Sequence, residues 1–172
     1  MHKRKFVFII GMLFVLSATC YGQKTGFVNV QLVLSKIPEY QLAQEKLNEL
    51  SKQYIKEITE QKEVIKKLYG TYQADKILLS QEMRDKKELE IKAAELKLEA
   101  IKTKRFGEGG DLYTERQKLV KPIQDKVYAA IEAVGEKKGF SLMLDVSSDA
   151  SILYYNEKYD KTQDVMKKLG YL

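Results

Sequence analysis

The sequence predicts an α+β protein, mostly α, in which a small β body carries a long projecting antiparallel α-helical hairpin. Three observations predict it. Residues 39 to about 138 are rich in Ala, Leu, Glu, Lys and Gln, with only Gly70, Gly107, Gly109, Gly110, Pro122 and Gly135 as breakers. Within that stretch, up to the glycine cluster, the apolar positions form narrow stripes at helical spacing and not wide faces. At either end lie short β-rich runs, neither holding enough strands for a sheet of its own, so the two ends must build the body together.

The chain opens with Lys3, Arg4 and Lys5, an apolar run from Phe6 to Leu16, and the small or polar residues Ser17 to Gly22. A basic start, an apolar run of about 11 residues and a small-residue end describe a cleavable secretory signal peptide over residues 1–22. A membrane-spanning helix needs roughly 20 apolar residues, so this run is too short for a stable anchor. Lipidation at Cys20 is disfavoured, because Ser17 stands three residues before it where a large apolar residue is expected.

Body elements are expected at 23–38 and 112–172, with the arm inserted as residues 39–111. Phe27, Val28 and Val30 read as a strand at about 25–30, running into one or two helical turns that end before Pro38. The outgoing arm helix carries Leu47, Leu50, Tyr54, Ile58, Ile65, Leu68 and Tyr72 on one stripe, with Gln61 filling the missing position. The return carries Ile91, Ala94, Leu98 and Ile101, and the two helices join near residues 74–80, with Ser80 as N-cap of the second. A rise of 1.5 Å per residue gives an arm of roughly 45–55 Å.

Phe106-Gly107-Glu108-Gly109-Gly110 interrupts the return, as a plain loop or as a hinge, since each glycine costs about 1 kcal/mol inside a helix. Leu112, Leu119, Val120, Ile123, Val127, Ile131 and Val134 then form a wider apolar face, with a bend expected at Pro122. Lys137-Lys138-Gly139 ends that helix. Residues 140–146 and 151–155 read as a strand pair across a turn, and Asp160 or Thr162 caps a last helix closed by Gly170. A body this small is marginal alone, and sharing strands between subunits is the simplest remedy.

Loss of residues 1–22 removes His2 and Cys20, the only histidine and cysteine, and three of the six net positive charges. What remains has no imidazole base, no thiol and no soft metal ligand. It has no phosphate-cradling glycine loop followed by Lys-Ser/Thr. No catalytic residue, cofactor or metal is assigned, and enzyme activity is not expected. Asp145 and Asp149 bracket the strand turn, where turn chemistry outweighs cation binding. Export with a basic balance disfavours nucleic acid and favours acidic polypeptides and anionic surfaces.

Two features are candidates for binding. Tyr69, Tyr72, Ile77, Leu78, Leu79 and Met83 cluster where the hairpin turns, and one helical stripe cannot hide both Leu78 and Leu79. Beside them, Lys66, Lys67, Lys76, Arg84 and Lys87 belong to a basic set along the arm, serving as partners for interleaved Glu or as a weak field that attracts acidic segments.

The order of these segments resembles the Skp/OmpH family of periplasmic chaperones. The likeness rests on Gly26-Phe27-Val28-Asn29, Ile37-Pro38-Glu39-Tyr40, Lys118-Leu119-Val120-Lys121-Pro122-Ile123-Gln124, Ile152-Leu153-Tyr154-Tyr155-Asn156 and the stretch from Asp160 to Leu169. That resemblance implies a homotrimer whose body strands form a shared β-barrel and whose hairpins enclose unfolded outer-membrane proteins without ATP. It implies a periplasmic location; the basic balance adds weak contact with anionic lipid or lipopolysaccharide as a further partner. The alternative is an envelope coiled-coil structural or adaptor protein with one fixed partner.

Overall fold

A computed structural model describes residues 23–147 and 152–172; the expected signal peptide and the 148–151 turn, with Asp149, lie outside the described residues. The elements are β1 (Thr25–Val28), α1 (Val30–Ser35), α2 (Pro38–Asp75), α3 (Gln81–Phe106), α4 (Asp111–Lys137), β2 (Leu142–Asp145), a 3-10 turn (Glu157–Tyr159) and α5 (Thr162–Leu169). This is a mostly helical α+β chain, as the sequence predicts. It divides into two compact units. One joins the chain up to Val30 with Ala129–Gly170 and Leu172, and the other comprises Gln31–Tyr128 with Tyr171.

In the terminal unit β1 and β2 pair in parallel, from Thr25↔Leu142 to Val28↔Asp145. The ladder extends through Ser141 N–H to the Lys24 carbonyl (2.9 Å) and Val146 N–H to the Val28 carbonyl (2.9 Å). Gly26 leaves room for side chains of the facing strand. A Cβ there would stand 2.5 Å from the Met143 sulfur and 3.1 Å from the Phe140 ring, and one at Gly135 would meet Met143 Cγ at 3.2 Å. Two glycines thus make room for one methionine. Val28 and Val165 are fully buried, with Ala130, Ile131, Val134 and Met166 close to it.

The expected strand pair of 140–146 with 151–155 does not form. β2 gives its ladder to β1, and residues 152–155 carry no strand. The other side of β1 is taken by a bridge to Asp160, with Lys161 N–H donating to the Phe27 carbonyl at 2.7 Å. Tyr155 is held instead by its ring, stacked on Phe27 at 4.8 Å, while Leu153 and Tyr154 are exposed. The first strand is also shorter than expected, since Val30 already opens α1.

Polar contacts tie the ends of this unit and fix its turns. Asn29 N–H donates to Thr162 Oγ1 (2.9 Å). Asp145 Oδ1 accepts from the N–H of Val30 (3.2 Å), the N–H of Ser147 (2.8 Å) and the Ser147 hydroxyl (2.7 Å). Turn chemistry is therefore what Asp145 performs, and it also caps α1 across the sheet. Asp160 Oδ1 accepts from Thr162 N–H (2.8 Å) to start α5, and Gly170 ends it at φ 85°, the left-handed conformation glycine adopts without penalty.

In the hairpin unit Pro38 sits at the start of α2, where its missing N–H costs nothing. At 38 residues α2 spans about 57 Å. Ser80 caps α3 as expected, accepting from Met83 N–H at 3.4 Å. Every member of the predicted stripe from Leu47 to Tyr72 is buried or half-buried, as are Ile91, Ala94, Leu98 and Ile101 on α3. Gln61 occupies its seam position by donating to the Ala94 carbonyl (3.3 Å). Nearer the base, Ala43 and Leu47 pack on Val120, with Tyr40, Leu112, Leu119 and Ile123 around them, so both α3 and α4 return along α2. Pro122 does not end α4, although it supplies no N–H to the Lys118 carbonyl.

The glycine cluster is a tight turn between α3 and α4. Gly107 N–H closes on the Thr103 carbonyl and Gly110 N–H on the Gly107 carbonyl, both at 2.9 Å, and Gly109 has φ 71°. A Cβ on Gly107 would collide with the Thr103 carbonyl oxygen, and one on Gly110 would lie 2.8 Å from the Lys104 carbonyl oxygen. Arg105 braces this turn. Its Nε reaches Glu57 at 2.8 Å, its Nη1 pairs with Asp111, and its guanidinium lies 4.7 Å from the Tyr54 ring centroid. The two carboxylates hold the Arg105 proton more firmly than usual, keeping the node ionic.

Candidate functional site

The hairpin end is assembled by α2 running out at Asp75, four connecting residues, and the Ser80 cap. Tyr72 is not a surface residue. It is 5 % exposed and bonds its hydroxyl to Glu88 across the seam, with Lys76 Nζ 5.5 Å from its ring centroid. Arg84 is half-buried and donates from Nε to the Leu79 carbonyl (3.1 Å), which fastens the connection; Leu79 is half-buried above it. Ile77 and Leu78 are 89 % and 86 % exposed, and Met83 is 53 % exposed. An apolar tip is therefore presented by a scaffold of polar fastenings.

The remaining candidate residues lie back along the arm. Tyr69 bonds its hydroxyl to Glu95 (3.0 Å). Lys66 pairs with Glu63 (3.9 Å), Lys87 pairs with Glu90 (3.2 Å), and Lys67 is exposed on α2. Such exposed pairs contribute little to stability and are screened by salt, so their charge remains readable by a ligand.

Hydrogen bonding to Glu95 and Glu88 raises the pKa of Tyr69 and Tyr72 above the ordinary phenol value. A raised folded pKa means these bonds hold below the unfolded phenol pKa of about 10 and are lost as pH rises through the higher folded value. Phenolate absorbance on alkaline titration should show this pair titrating late, together with Tyr155 and Tyr171, whose pKa burial also raises. Glu88→Gln should return one of them to the ordinary range, and an unchanged late pair in that variant would contradict the assignment.

The sequence reading missed two surface features. Leu89 and Leu96 are 68 % and 64 % exposed on α3, and Leu96 joins Ile65, Leu98, Lys92, Glu95 and Glu99 around a groove of about 390 Å³. A second, smaller cleft lies beside the glycine turn, lined by Phe106, Leu112, Tyr113 and Arg116. Aromatic residues flanking a glycine run were its signal in the sequence. Among the described residues no cluster of His, Cys, Asp or Glu could hold a metal ion, and no helix is long and apolar enough to cross a membrane.

A family model described as "Outer membrane protein (OmpH-like)" matches residues 24–169. "Chaperone protein Skp" of Vibrio cholerae is 27% identical over 155 residues, covering 86% of this chain and 84% of that protein. A solved structure of an outer membrane chaperone (OmpH-like) of Caulobacter crescentus superposes with TM-score 0.62 at 14% identity, covering 86% of this chain and 84% of that one. At that identity the superposition speaks for the fold alone.

Proposed function

Because this chain belongs to the OmpH-like outer membrane protein family, whose members are chaperones and not enzymes, we propose that it is an ATP-independent holdase of the periplasm. It binds unfolded outer-membrane proteins and prevents their aggregation, working as a homotrimer whose hairpins surround the client. The observation that carries the reading is the exposure of Ile77 and Leu78 at the end of a charged hairpin. Apolar side chains held in water at 86 % exposure or more offer contact without a shaped pocket, which suits clients of no fixed structure. Met83 adds a flexible, adaptable surface beside them. Around this tip, Lys66, Lys67, Lys76, Arg84 and Lys87 supply a salt-sensitive field for acidic client segments and, weakly, for anionic lipid or lipopolysaccharide.

The test dilutes an outer-membrane protein from urea into buffer without nucleotide and follows its light scattering. The protein in several-fold excess should suppress aggregation, and Ile77→Ser with Leu78→Ser should weaken suppression at least about threefold with helicity unchanged, since each substitution removes an exposed apolar contact. Full aggregation in the presence of the unmodified protein would end the holdase reading. Capture of one folded partner at fixed stoichiometry would favour an adaptor role instead. Solution mass from light scattering should correspond to three copies, and a monomer would remove the enclosing arrangement.

A further inference from the structure

The turn between α3 and α4 leaves a cleft of about 190 Å³ bounded by Phe106 on one side and by Leu112, Tyr113 and Arg116 on the other. Its walls are held in place. Phe106 packs edge-on to Tyr54, with centroids 6.1 Å apart at 89°, and Tyr54 lies under the Arg105 guanidinium that Glu57 and Asp111 fix. Yet the cleft is open to water, with Phe106 41 % and Tyr113 51 % exposed. Arg105 is neutralised by two carboxylates, whereas Arg116 has no carboxylate partner among the described residues.

We propose that this cleft is a client subsite that takes one aromatic side chain of an extended polypeptide, with Arg116 pairing an acidic group beside it on the same chain. This inference rests on the holdase reading and locates a contact away from the hairpin tip. Size selects the occupant. The cleft is well below the roughly 300–1,000 Å³ of a pocket for a cofactor or drug-sized ligand, and it suits a single ring. Chemistry selects it too. Phe106 and Tyr113 offer rigid ring faces and edges for another aromatic group. An unpaired guanidinium presents a planar fork that matches a carboxylate. The glycines at 107 and 110 are what bring the two helix ends close enough to form the cleft, because any side chain there would push the backbone apart.

The protein contains no tryptophan, so an indole carried by a ligand is the only one in solution. The probe is the capped peptide Gly-Ser-Trp-Asp-Gly-Ser, followed by its fluorescence. A saturable blue shift is expected, and Tyr113→Ala should weaken binding about five- to tenfold. Arg116→Glu should weaken it by about the same factor and turn the preference towards the matching Trp-Lys peptide. Arg116 is an exposed surface position, so this second variant remains informative if Tyr113→Ala is unstable. A preference left unchanged by Arg116→Glu, or no saturable shift with the unmodified protein, would overturn the subsite. The client-aggregation assay on the same preparation separates the two claims: suppression with no peptide response removes only the cleft, and absent suppression removes the holdase reading.

Discussion

Alanine at Gly107 or at Gly110 should destabilise the hairpin unit by about 1–3 kcal/mol each, the usual cost of forcing an added carbon into filled space. The penalty is steric. Gly107 lies at φ −66° and ψ 170°, which any residue can adopt, but its Cβ would collide with the Thr103 carbonyl oxygen. A Cβ at Gly110 would stand 2.8 Å from the Lys104 carbonyl oxygen and 2.9 Å from that of Gly107. These are backbone atoms, which cannot swing aside as a flexible side chain can. Gly109 is the internal control. It has φ 71° and open space around its missing Cβ, so alanine there should cost only about 1–2 kcal/mol of left-handed strain and asparagine less. Urea unfolding followed by circular dichroism measures all four variants. If Gly107→Ala and Gly110→Ala proved neutral while Gly109→Ala did not, the close backbone approach described for this turn would be incorrect.

Asp145→Ala should cost the terminal unit about 2–3 kcal/mol, because one carboxylate oxygen accepts three donors and two of them are backbone amides. Removing it strips the first amide of α1 of its acceptor and opens the Asp145–Ser147 turn in one step. Asp145→Asn keeps an acceptor in place and should cost roughly half as much, since a neutral acceptor gives the weaker bond. Thermal unfolding gives the total, and amide exchange at Val30 and Ser147 gives the distribution. Faster exchange at Ser147 with Val30 unaffected would show that the carboxylate serves only its own turn.

The parts legible in the sequence are those fixed by near neighbours. Stripe residues from Leu47 to Tyr72 and from Ile91 to Ile101 are shielded because helical periodicity is a local property. Ser80 and Gly170 act as caps for the same reason. Residues 152–155 were misleading because β-rich composition says nothing of which backbone row is free, and Asp160 with Lys161 occupies the place beside β1. In the candidate site, exposure of one of Leu78 and Leu79 could be anticipated, since adjacent apolar residues cannot share one helical stripe; Leu78 is the exposed one and Leu79 is half-buried. Tyr72 could not be assigned to the surface or the seam without knowing that Glu88 stands opposite its hydroxyl. The cleft at Phe106 and Tyr113 depended on how tightly the glycines let two helix ends approach, which composition does not state.

The parallel register of β1 with β2 also sets a timetable. Thr25 pairs with Leu142, so the two strands must find each other across the whole helical segment that separates them in the chain. Helix formation between them is local and fast, whereas strand pairing over such a separation is slow. Once Ala43 and Leu47 have closed on Val120, the open loop between the strands shrinks to roughly a third, easing closure by about 1 kcal/mol. A chain truncated before residue 142 can make α1 to α4 but has nothing to offer β1. The small sheet thereby closes late, after the helices between its strands have formed.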